Sequence, residues 1–461
     1  MKRRKKTRKI QSMTNVIFSF DTEDIINERG ADGIIHCARI LREEGVRGCF
    51  NIIGLLPNAL KEWERYDIID ALKYHEIDFH SHTHSIHPTI NEYTDKEDFH
   101  EALNEFIKDE SIGIKKVKDF FGRDYLPAAC IPGNSTSYVA HYGYAELGFN
   151  FFSGDDIYDK VSYRPIYNCN TISLHYARSL DGVLFKLNKT QIADFVNETA
   201  RHKHTMIFYH HPQRAFCKSF WDADNFNKKN TPKEEWIKSE IHDPADTERF
   251  YENFRALVRF LRDDGDFKII TYEELAKKSA ESERIITKKE LSDIRSQLNE
   301  SFFPVTTPNS YSIADVFLAC RSLLLGCEQH LCGKVYGFLS EPYVTKEQIT
   351  ITRDEARELA KNIKSENFLS PVFYINGKKI GPRDLLFAFL AFLLDDVNEY
   401  TIAPNNAWQL DLDQFPTLRD LNYKASWIHA ETLNDDYLSD RLRYQTWTIR
   451  LQKNTQRKIF N

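Results

Sequence analysis

The sequence predicts an α/β protein in which a (β/α) barrel is followed by a smaller, helix-rich region. Three features support this prediction. Short apolar runs alternate with longer amphipathic stretches over about the first 280 residues, polar clusters follow several of these runs, and the composition changes near residue 300. Repeated strand–helix alternation is typical of a parallel sheet, either open or closed into a barrel.

The predicted strands are short apolar runs bounded by polar residues or turn residues. NVIFSF (Asn15–Phe20) comes first, and the amphipathic stretch after it is predicted as a helix that ends at Gly45. VRGCFNIIG (Val46–Gly54) and EIDFH are the next strands, and a long helix is predicted from about Lys96 to Phe121. Later strands are predicted at NFFSGD, ISLHYA, GVLFKL, TMIFYHH (Thr205–His211) and FKIITY (Phe267–Tyr272). The clusters DTED, HSHTHSIH and HHPQR then follow strand ends, where such barrels carry their chemistry.

The chain is predicted to contain four parts. A basic tail (1–14) precedes the barrel (15–278), and a charged helical linker (279–300) leads into an α-rich domain of unknown role (301–461). The last part contains two strongly apolar helices, YSIADVFLACRSLLLG and RDLLFAFLAFLLDD, separated by the strand-like PVFYINGKKIGP. It contains no cluster of titratable groups, so its predicted role is to bind a protein or glycan partner.

Composition excludes several classes of protein. The net charge of −6 leaves no large basic surface for a nucleic acid. Eight scattered cysteines without a CxxC pair indicate reduced thiols. No stretch has the length of a membrane helix, and the basic start MKRRKKTRK is not followed by the apolar core of a signal peptide. These features predict a cytoplasmic protein without a membrane span.

The stretch HEIDFHSHTHSIHP (His75–Pro88) contains five of the sixteen histidines of the chain. A wet, charged loop is the plain interpretation, and a metal site is the alternative. The four-residue spacing of His80 and His84 brings both rings to one point if the segment forms a helical turn. His82 and His87 offer other pairings, so spacing alone does not identify the ligands.

Acidic residues for the same site follow the first strand, in FSFDTED. Two histidines are too few for tight metal binding, whereas a carboxylate would complete a two-histidine, one-carboxylate set with open positions. Asp21, Glu23 and Asp24 are the candidates, since their strand end is predicted to lie near the histidine cluster. Capping of the next helix is the alternative role for these carboxylates.

FSFDTED, VRGCFNIIG and HEIDFHSHTH resemble the polysaccharide deacetylases of the NodB-homology family, which includes chitin and peptidoglycan deacetylases. The resemblance covers about Asn15 to Lys278. It implies a distorted (β/α) barrel of the NodB-homology type, in agreement with the alternation of strands and helices. The C-terminal region carries no comparable resemblance.

The resemblance also implies roles for individual residues. In the H-[ST]-x-x-H motif of the family, His80 and His84 take the positions of metal ligands. The acidic motif of the family supplies a catalytic base, here Asp21, and a metal-binding carboxylate. Adjacent aspartates are usual there, whereas Thr22 follows the base in this chain. The ligand therefore stays open between Glu23 and Asp24.

Downstream the resemblance to the family is partial. AACIPGNS (Ala128–Ser135) stands where the family commonly has an Arg-Pro-Pro-Gly-like motif, and Pro132 and Gly133 match it. Cys130 occupies the place of the arginine that normally orients the base. Pro132 and Asp155, in SGDD, are the predicted substrate-contact residues, and helix capping is the alternative for Asp155.

FYHHPQR resembles the late motif of the family, in which a histidine at a strand end is the general acid. The position before Pro212 favours His211 over His210 for this role. A histidine bonded to the backbone at a strand end is the alternative.

These features together predict a metal-dependent deacetylase that hydrolyses an N-acetyl group on a carbohydrate, the predicted partner. One divalent metal ion is expected, zinc first, with cobalt, manganese or nickel also compatible with such ligands. One alternative is a related amidohydrolase that acts on a small nitrogenous compound. Another is a catalytically inactive glycan-binding or scaffold protein, which the missing arginine favours.

Overall fold

The computed structural model describes residues 13–134, 137–154, 164–201, 203–279, 284–364, 367–404, 407–410 and 415–452. It forms two compact units. The first comprises residues 1–87, 109–133 and 175–275, and the second comprises 88–108, 134–174 and 276–461. The predicted division of the chain near residue 278 stays a prediction, because the two units draw on alternating stretches of sequence.

The first unit contains a parallel sheet, so the predicted α/β class is confirmed. Its described strands follow the order β4–β3–β2–β1–β9–β8, and β10 also pairs with β1. Every pairing given among them is parallel. These strands are β1 (Thr14–Thr22), β2 (Cys49–Ile52), β3 (Glu76–Phe79), β4 (Ala128–Cys130), β8 (Arg178–Ser179), β9 (Thr205–His210) and β10 (Phe267–Ile269).

Helices follow most of these strands. Those within the first unit are α1 (Arg29–Glu43), α2 (Leu56–Glu62), α3 (Asp67–Leu72), α7 (Ile192–Ala200), α8 (Trp221–Asn225) and α9 (Pro244–Asp263). The unit boundary falls within α5 (Phe99–Phe121) and within α10 (Tyr272–Ser279). Buried residues of α1 recur at three- and four-residue spacing, as in Ile34, Cys37 and Leu41, which is the pattern of a helix packed on a sheet.

One glycine of α1 allows close packing next to a predicted catalytic residue. A Cβ atom at Gly33 would lie 2.2 Å from the carbonyl oxygen of Pro212. That distance is far below van der Waals contact, so only glycine fits there. Because Pro212 directly follows His211, the packing of α1 fixes the backbone just after the predicted acid.

One predicted strand is wrong. GVLFKL forms consecutive turns instead, in which Leu184 donates its N–H to Leu180 and Leu187 donates to Val183. Leu180 and Leu184 are nevertheless buried. A short apolar run indicates that its side chains are buried, but it does not by itself distinguish a strand from a turn. The strand at this point is the two-residue β8, which pairs with β9.

Among the described residues, the second unit contains a group of three strands, three two-stranded sheets and most of the remaining helices. Strand β5 (Phe151–Ser153) pairs parallel with β7 (Thr171–Leu174), which pairs antiparallel with β6 (Ile166–Asn168). Three two-stranded antiparallel sheets follow: β11 (Ile285–Thr287) with β12 (Gln329–Leu331), β13 (Ile349–Thr352) with β16 (Glu399–Ile402), and β14 (Phe373–Ile375) with β15 (Lys378–Ile380).

Its helices are α4 (Ile90–Thr94), α6 (Tyr138–Glu146), α11 (Leu291–Glu300), α12 (Ile313–Leu324), α13 (Arg353–Asn362), α14 (Pro382–Leu394), α15 (Pro416–Arg419) and α16 (Leu438–Tyr444). Helices α12 and α14 are the two apolar helices of the sequence, and the hairpin β14–β15 is the strand-like segment between them. The predicted linker contains α11, whose Leu291, Ile294 and Leu298 are buried. This part of the chain is therefore packed. In the part of the chain described above, no helix is both long and apolar enough to cross a membrane.

Candidate metal centre and catalytic residues

The three polar clusters of the sequence meet at one edge of the sheet in the first unit. Strands β3, β1 and β9 run parallel, so their carboxyl ends lie on the same side. His80 follows β3, Asp21 lies near the end of β1, and His211 follows β9. Ligand sites of parallel sheets occur at this edge because several strands deliver side chains to one place.

Glu23, His80 and His84 form a compact buried group. The Oε2 atom of Glu23 lies 2.9 Å from Nε2 of His84 and 3.3 Å from Nε2 of His80. The side chains are 2–3% exposed. One ligand atom from each residue lies within 4.8 Å of the others, so one cation could contact all three.

Hydrogen bonds on the far side of each ring define which nitrogen carries the proton. Nδ1 of His80 lies 3.1 Å from the carbonyl oxygen of Cys130, which can only accept. Nδ1 of His84 lies 2.5 Å from Ser85 Oγ, and Ser85 itself donates to Asp222 Oδ2 at 2.6 Å. Both Nδ1 atoms are therefore donors, and in the neutral rings both Nε2 atoms present lone pairs toward Glu23.

This arrangement suits a cation. Within the described residues, Oε2 of Glu23 is buried without a hydrogen-bond partner. Burial raises the pKa of Glu23, but the imidazoles of His84, His211 and His80 outweigh burial and hold the pKa well below its usual range. Burial lowers the pKa of His80, but Cys130, Asp21 and Glu23 outweigh burial and raise it well above its usual value, so His80 must lose a proton before it binds a metal. The ionised Glu23 and the two deprotonated rings would then form a two-histidine, one-carboxylate donor set, which fits zinc, cobalt, manganese or nickel.

The other oxygen of Glu23 is held by two donors. Nε2 of Gln213 donates to Oε1 over 3.2 Å, and Nε1 of Trp221 donates to the same atom over 3.3 Å. Both donors leave Oε2 free to face the histidines. They fix the carboxylate in one orientation, as outer contacts of metal ligands generally do.

Asp24 lies in a different environment. Its Oδ1 accepts from the backbone N–H groups of Ile26 and Asn27 at 2.9 and 2.8 Å, and its Oδ2 accepts from the Asn27 side chain at 2.9 Å. Burial raises the pKa of Asp24 to about 7. Of the two candidate carboxylates, Glu23 lies with the histidines and Asp24 stabilises the turn after β1.

The loop that carries the histidines is not the helical turn that the spacing suggested. Ser81 and His84 have φ angles of 64° and 56°, in the left-handed region. Ser81 Oγ accepts from the backbone N–H of His84 at 3.1 Å and supports this tight turn. His82 bonds to Asp109 and Lys116, and the other histidines of the cluster, His75 and His87, bond to backbone carbonyls.

Asp21 is held by uncharged groups. Asn51 lies opposite it in the β1–β2 register and donates from Nδ2 to Oδ1 at 2.7 Å. The hydroxyl of Tyr176 lies 3.4 Å from both carboxylate oxygens, and Cys130 Sγ lies 3.7 Å from Oδ1. The Cys130 thiol and the Tyr176 hydroxyl are themselves 2.5 Å apart. Neutral groups thus stand where the family resemblance implied an arginine.

His211, not its neighbour His210, faces Asp21. Its Nε2 lies 3.7 Å from Asp21 Oδ2, and its Nδ1 lies 2.7 Å from Asp181 Oδ2. Burial lowers the pKa of His211, but Asp181, Glu23 and Asp21 outweigh burial and raise it to about 10. His211 therefore carries a proton at neutral pH. His210 bonds to the other oxygen of Asp181 and is 1% exposed.

Asp181 was not predicted from the sequence. It directly precedes GVLFKL, and no motif or spacing in the sequence indicates that it lies near the site. Its carboxylate accepts from both ring Nδ1 atoms and from the His211 backbone N–H at 3.0 Å. Burial raises its pKa, but His211 and His210 outweigh burial and keep the pKa far below its usual value.

We expect Asp181→Asn to shift the pH dependence of the His211 proton. Without the carboxylate the pKa of His211 falls from about 10 toward its usual value, so the alkaline limb of a kcat profile moves to lower pH. The pKa of His211 is higher in the folded than in the unfolded protein. The contribution of the His211 proton to stability is therefore fully present below about pH 6.5 and is lost as the pH rises through about 10. Unfolding midpoints between these pH values should therefore vary less in the variant.

Asp194→Asn is the matched control, because Asp194 is an exposed aspartate on α7 of the same unit. Its pH profile should match that of the unmodified protein. An Asp181→Asn profile that also overlays the unmodified one would show that Asp181 does not set the pKa of His211.

Two further predicted site residues are Pro132 and Asp155. Pro132 is buried and begins a single turn of 3-10 helix (Pro132–Asn134) directly after β4. Gly133 in that turn has a φ of 56°, which favours glycine. Asp155 lies outside the described residues. Contact of Pro132 and Asp155 with substrate stays a prediction.

No protein-family model and no curated protein sequence matches the chain. Solved structures do match. A protein assigned as a polysaccharide deacetylase from Mycobacterium smegmatis is 13% identical, with a TM-score of 0.38, over 58% of this chain and 90% of that one.

Two further matches are esterases. A CE4 esterase from Streptococcus mutans is 10% identical, with a TM-score of 0.34, over 56% of this chain and 86% of that chain. A family 4 acetyl xylan esterase from Clostridium thermocellum, solved in complex with a cobalt ion, is 14% identical, with a TM-score of 0.34, over 58% of this chain and 93% of that one. At these identities the matches do not establish an activity for this chain.

Proposed function

We propose that the protein is a metal-dependent deacetylase that hydrolyses an N-acetyl group on a carbohydrate. The observation that carries the proposal is the convergence of Nε2 of His80 and Nε2 of His84 on the buried carboxylate of Glu23. At 2.9–3.3 Å from Oε2, the two ring nitrogens need either a proton or a cation between them and the carboxylate, and a metal ion would replace the protons. The carbohydrate part of the proposal rests on the resemblance to polysaccharide deacetylases.

His80, His84 and Glu23 would hold the metal ion, with zinc as our first expectation and cobalt, manganese or nickel as alternatives. When bound, a divalent ion in such a site lowers the pKa of water and polarises a carbonyl group. Trp221 and Gln213 keep the Glu23 carboxylate in its orientation. A carboxylate oxygen of Asp21 lies within 4.8 Å of a ring nitrogen of His80, so the residue that we assign as the base lies next to the proposed ligands.

Asp21 and His211 would move the protons of the reaction. Asp21 takes a proton from the attacking water at Oδ2, while Asn51 keeps Oδ1 occupied. The water oxygen forms a bond to the acetyl carbon, and the C–N bond breaks. His211 donates its Nε2 proton to the leaving nitrogen, so that the products are acetic acid, which ionises, and a free amine.

After turnover the proton returns from Asp21 to His211, whose Nε2 lies 3.7 Å from Oδ2, when the two atoms close to hydrogen-bond distance or one water bridges them. At the end of the reaction Asp21 is protonated and His211 is neutral. Transfer from Oδ2 to Nε2 restores both groups. Asp181 keeps Nδ1 of His211 protonated throughout, so Nε2 is the nitrogen that exchanges the proton.

The first test is the metal content of the full chain beside a His80→Ala/His84→Ala double variant. We expect about one ion per chain in the unmodified protein and almost none in the variant. The control is His82→Ala/His87→Ala, which changes two histidines of the same loop that bond elsewhere. Acetate release from N-acetylglucosamine oligomers then tests the activity, with acetylated xylan as the ester substrate for comparison.

Absence of metal from the unmodified protein, even after incubation with zinc or cobalt, would overturn this proposal and favour a metal-free amidohydrolase or a binding protein. Metal binding without acetate release from either substrate would overturn the deacetylase assignment alone. Release from acetylated xylan only would place the activity on esters rather than amides.

A further inference from the structure

Ser85 and Asp222 form a buried hydrogen-bonded chain behind His84. Nδ1 of His84 lies 2.5 Å from Ser85 Oγ, and Ser85 donates to Asp222 Oδ2 at 2.6 Å. Asp222 Oδ2 also lies 3.4 Å from Nδ1 of His84, and both side chains are 3% exposed. Ser85 is fully buried. Water therefore does not compete for these bonds.

Each donor in this hydrogen-bonded series points from His84 toward Asp222. The other oxygen of Asp222, Oδ1, accepts from the backbone N–H of Ala223 at 2.8 Å, which orients the carboxylate. Since the hydroxyl proton of Ser85 points at Oδ2, its oxygen must accept from Nδ1 of His84. The His84 proton is thereby kept on Nδ1, and the lone pair of Nε2 faces Glu23.

The short helix that carries Asp222 also contacts Glu23, a second proposed metal ligand. Asp222 lies on α8, and its neighbour Trp221 donates to Glu23. Asn225 fixes this helix, because its Nδ2 donates to the carbonyl oxygens of Trp221 and Ile237 at 2.7 and 3.0 Å. One turn of helix thus contacts two of the three residues assigned here to the metal.

We propose that Asp222, acting through Ser85, is a positioning residue that fixes the tautomer and orientation of His84 for metal binding. This inference rests on the metal site of the proposed function. An imidazole protonated at Nε2 has no lone pair on the nitrogen that faces Glu23, so the hydrogen-bonded chain behind the ring decides whether His84 can bind the metal there. Loss of such an outer partner typically lowers metal affinity by about 10–100-fold.

Asp222→Asn tests the direction of the chain with little change of shape. The amide nitrogen must take the place of one carboxylate oxygen. If the amide nitrogen replaces Oδ1, it faces the N–H of Ala223, and two donors then oppose each other. If it replaces Oδ2, it donates a hydrogen bond to Ser85. In the second case the Ser85 hydroxyl reverses and donates to Nδ1, which moves the His84 proton to Nε2. We therefore expect metal affinity to fall by about 10–100-fold.

Ser85→Ala should have a smaller effect. Asp222 Oδ2 is already 3.4 Å from Nδ1 of His84, so a small shift lets the carboxylate accept that proton directly. Because both substitutions act through one chain, the Ser85→Ala/Asp222→Asn double variant should lose less affinity than the sum of the single losses. A general loss of folding would not produce this order.

The experiment measures zinc dissociation constants of the full chain by chelator competition, together with the tautomer of His84 in metal-free protein labelled with ¹⁵N-histidine, assigned with His84→Ala. Asp224→Asn is the control, since Asp224 lies on the same helix, is exposed and contacts Ser219. We expect Nδ1–H in the unmodified protein and in the control, and Nε2–H in Asp222→Asn.

Zinc binding by Asp222→Asn as tight as that of Asp224→Asn, with His84 still protonated at Nδ1, would overturn this inference. Unmodified protein that binds no zinc would overturn the proposed function instead. The two failures are distinguishable because the tautomer of His84 is read without metal.

Discussion

Asp21→Asn should lower kcat by about 10²–10⁴-fold, the usual contribution of a positioned general base. The amide oxygen can still accept the 2.7 Å hydrogen bond from Asn51, so the geometry is retained. The variant nevertheless has no carboxylate to take a proton from water. Metal content should stay unchanged, because Glu23, His80 and His84 are intact. Acetate release and elemental analysis on the same sample measure both quantities.

Loss of metal from Asp21→Asn would point to a different set of ligands. Asp21, His80 and Cys130 form a second group whose ligand atoms lie within 4.8 Å of one another. Loss of metal from Asp21→Asn would make Asp21 a ligand rather than the base. Cys130→Ser then serves as the companion variant, since a thiolate ligand would be lost with it. Retained metal in both variants supports the assignment of Glu23.

Arg450→Met should lower the free energy of unfolding by about 3–5 kcal/mol, because it leaves a buried carboxylate without its cation. In the second unit, Arg450 contacts both oxygens of Asp315 at 2.5 and 2.6 Å. The two side chains are 4% and 0% exposed. The guanidinium also lies 4.2 Å from the ring centroid of Tyr167. Chemical denaturation measures the loss.

Two further variants test whether the unpaired charge is the cause. Arg450→Met/Asp315→Asn removes the charge but keeps an acceptor for Ser312 at the start of α12, so it should recover part of the stability. Lys361→Met removes an exposed partner of Glu358 and should cost less than about 1 kcal/mol. A double variant less stable than Arg450→Met would contradict the explanation.

Local patterns were sufficient to predict the sheet edge that carries the site. Parallel strands bring their carboxyl ends together, so polar residues after β1, β3 and β9 had to meet. The same patterns could not decide between Glu23 and Asp24. These residues are adjacent, and the choice depends on Asn27, whose backbone and side chain engage Asp24.

Long-range partners gave no signal in the sequence. Asp222 is 137 residues from Ser85, and Asp181 follows a two-residue strand that pattern analysis did not detect. Cys130 occupies the position at which the family resemblance implies an arginine, so the sequence did not indicate what orients Asp21. The neutral donors Asn51 and Tyr176 come from β2 and from the segment after β7, and only the folded sheet brings them to Asp21.

The alternation of the two units along the chain has a consequence for synthesis on the ribosome. Residues 88–108 and 134–174 belong to the same compact unit as residues 276–461. At typical rates of translation, about 10–40 s pass while that last stretch is made. Until then Phe99 and Tyr142 in these early segments lack Phe368, whose ring centroid lies 4.7 and 5.4 Å from theirs. Nascent chains of this protein should therefore engage chaperones during that interval.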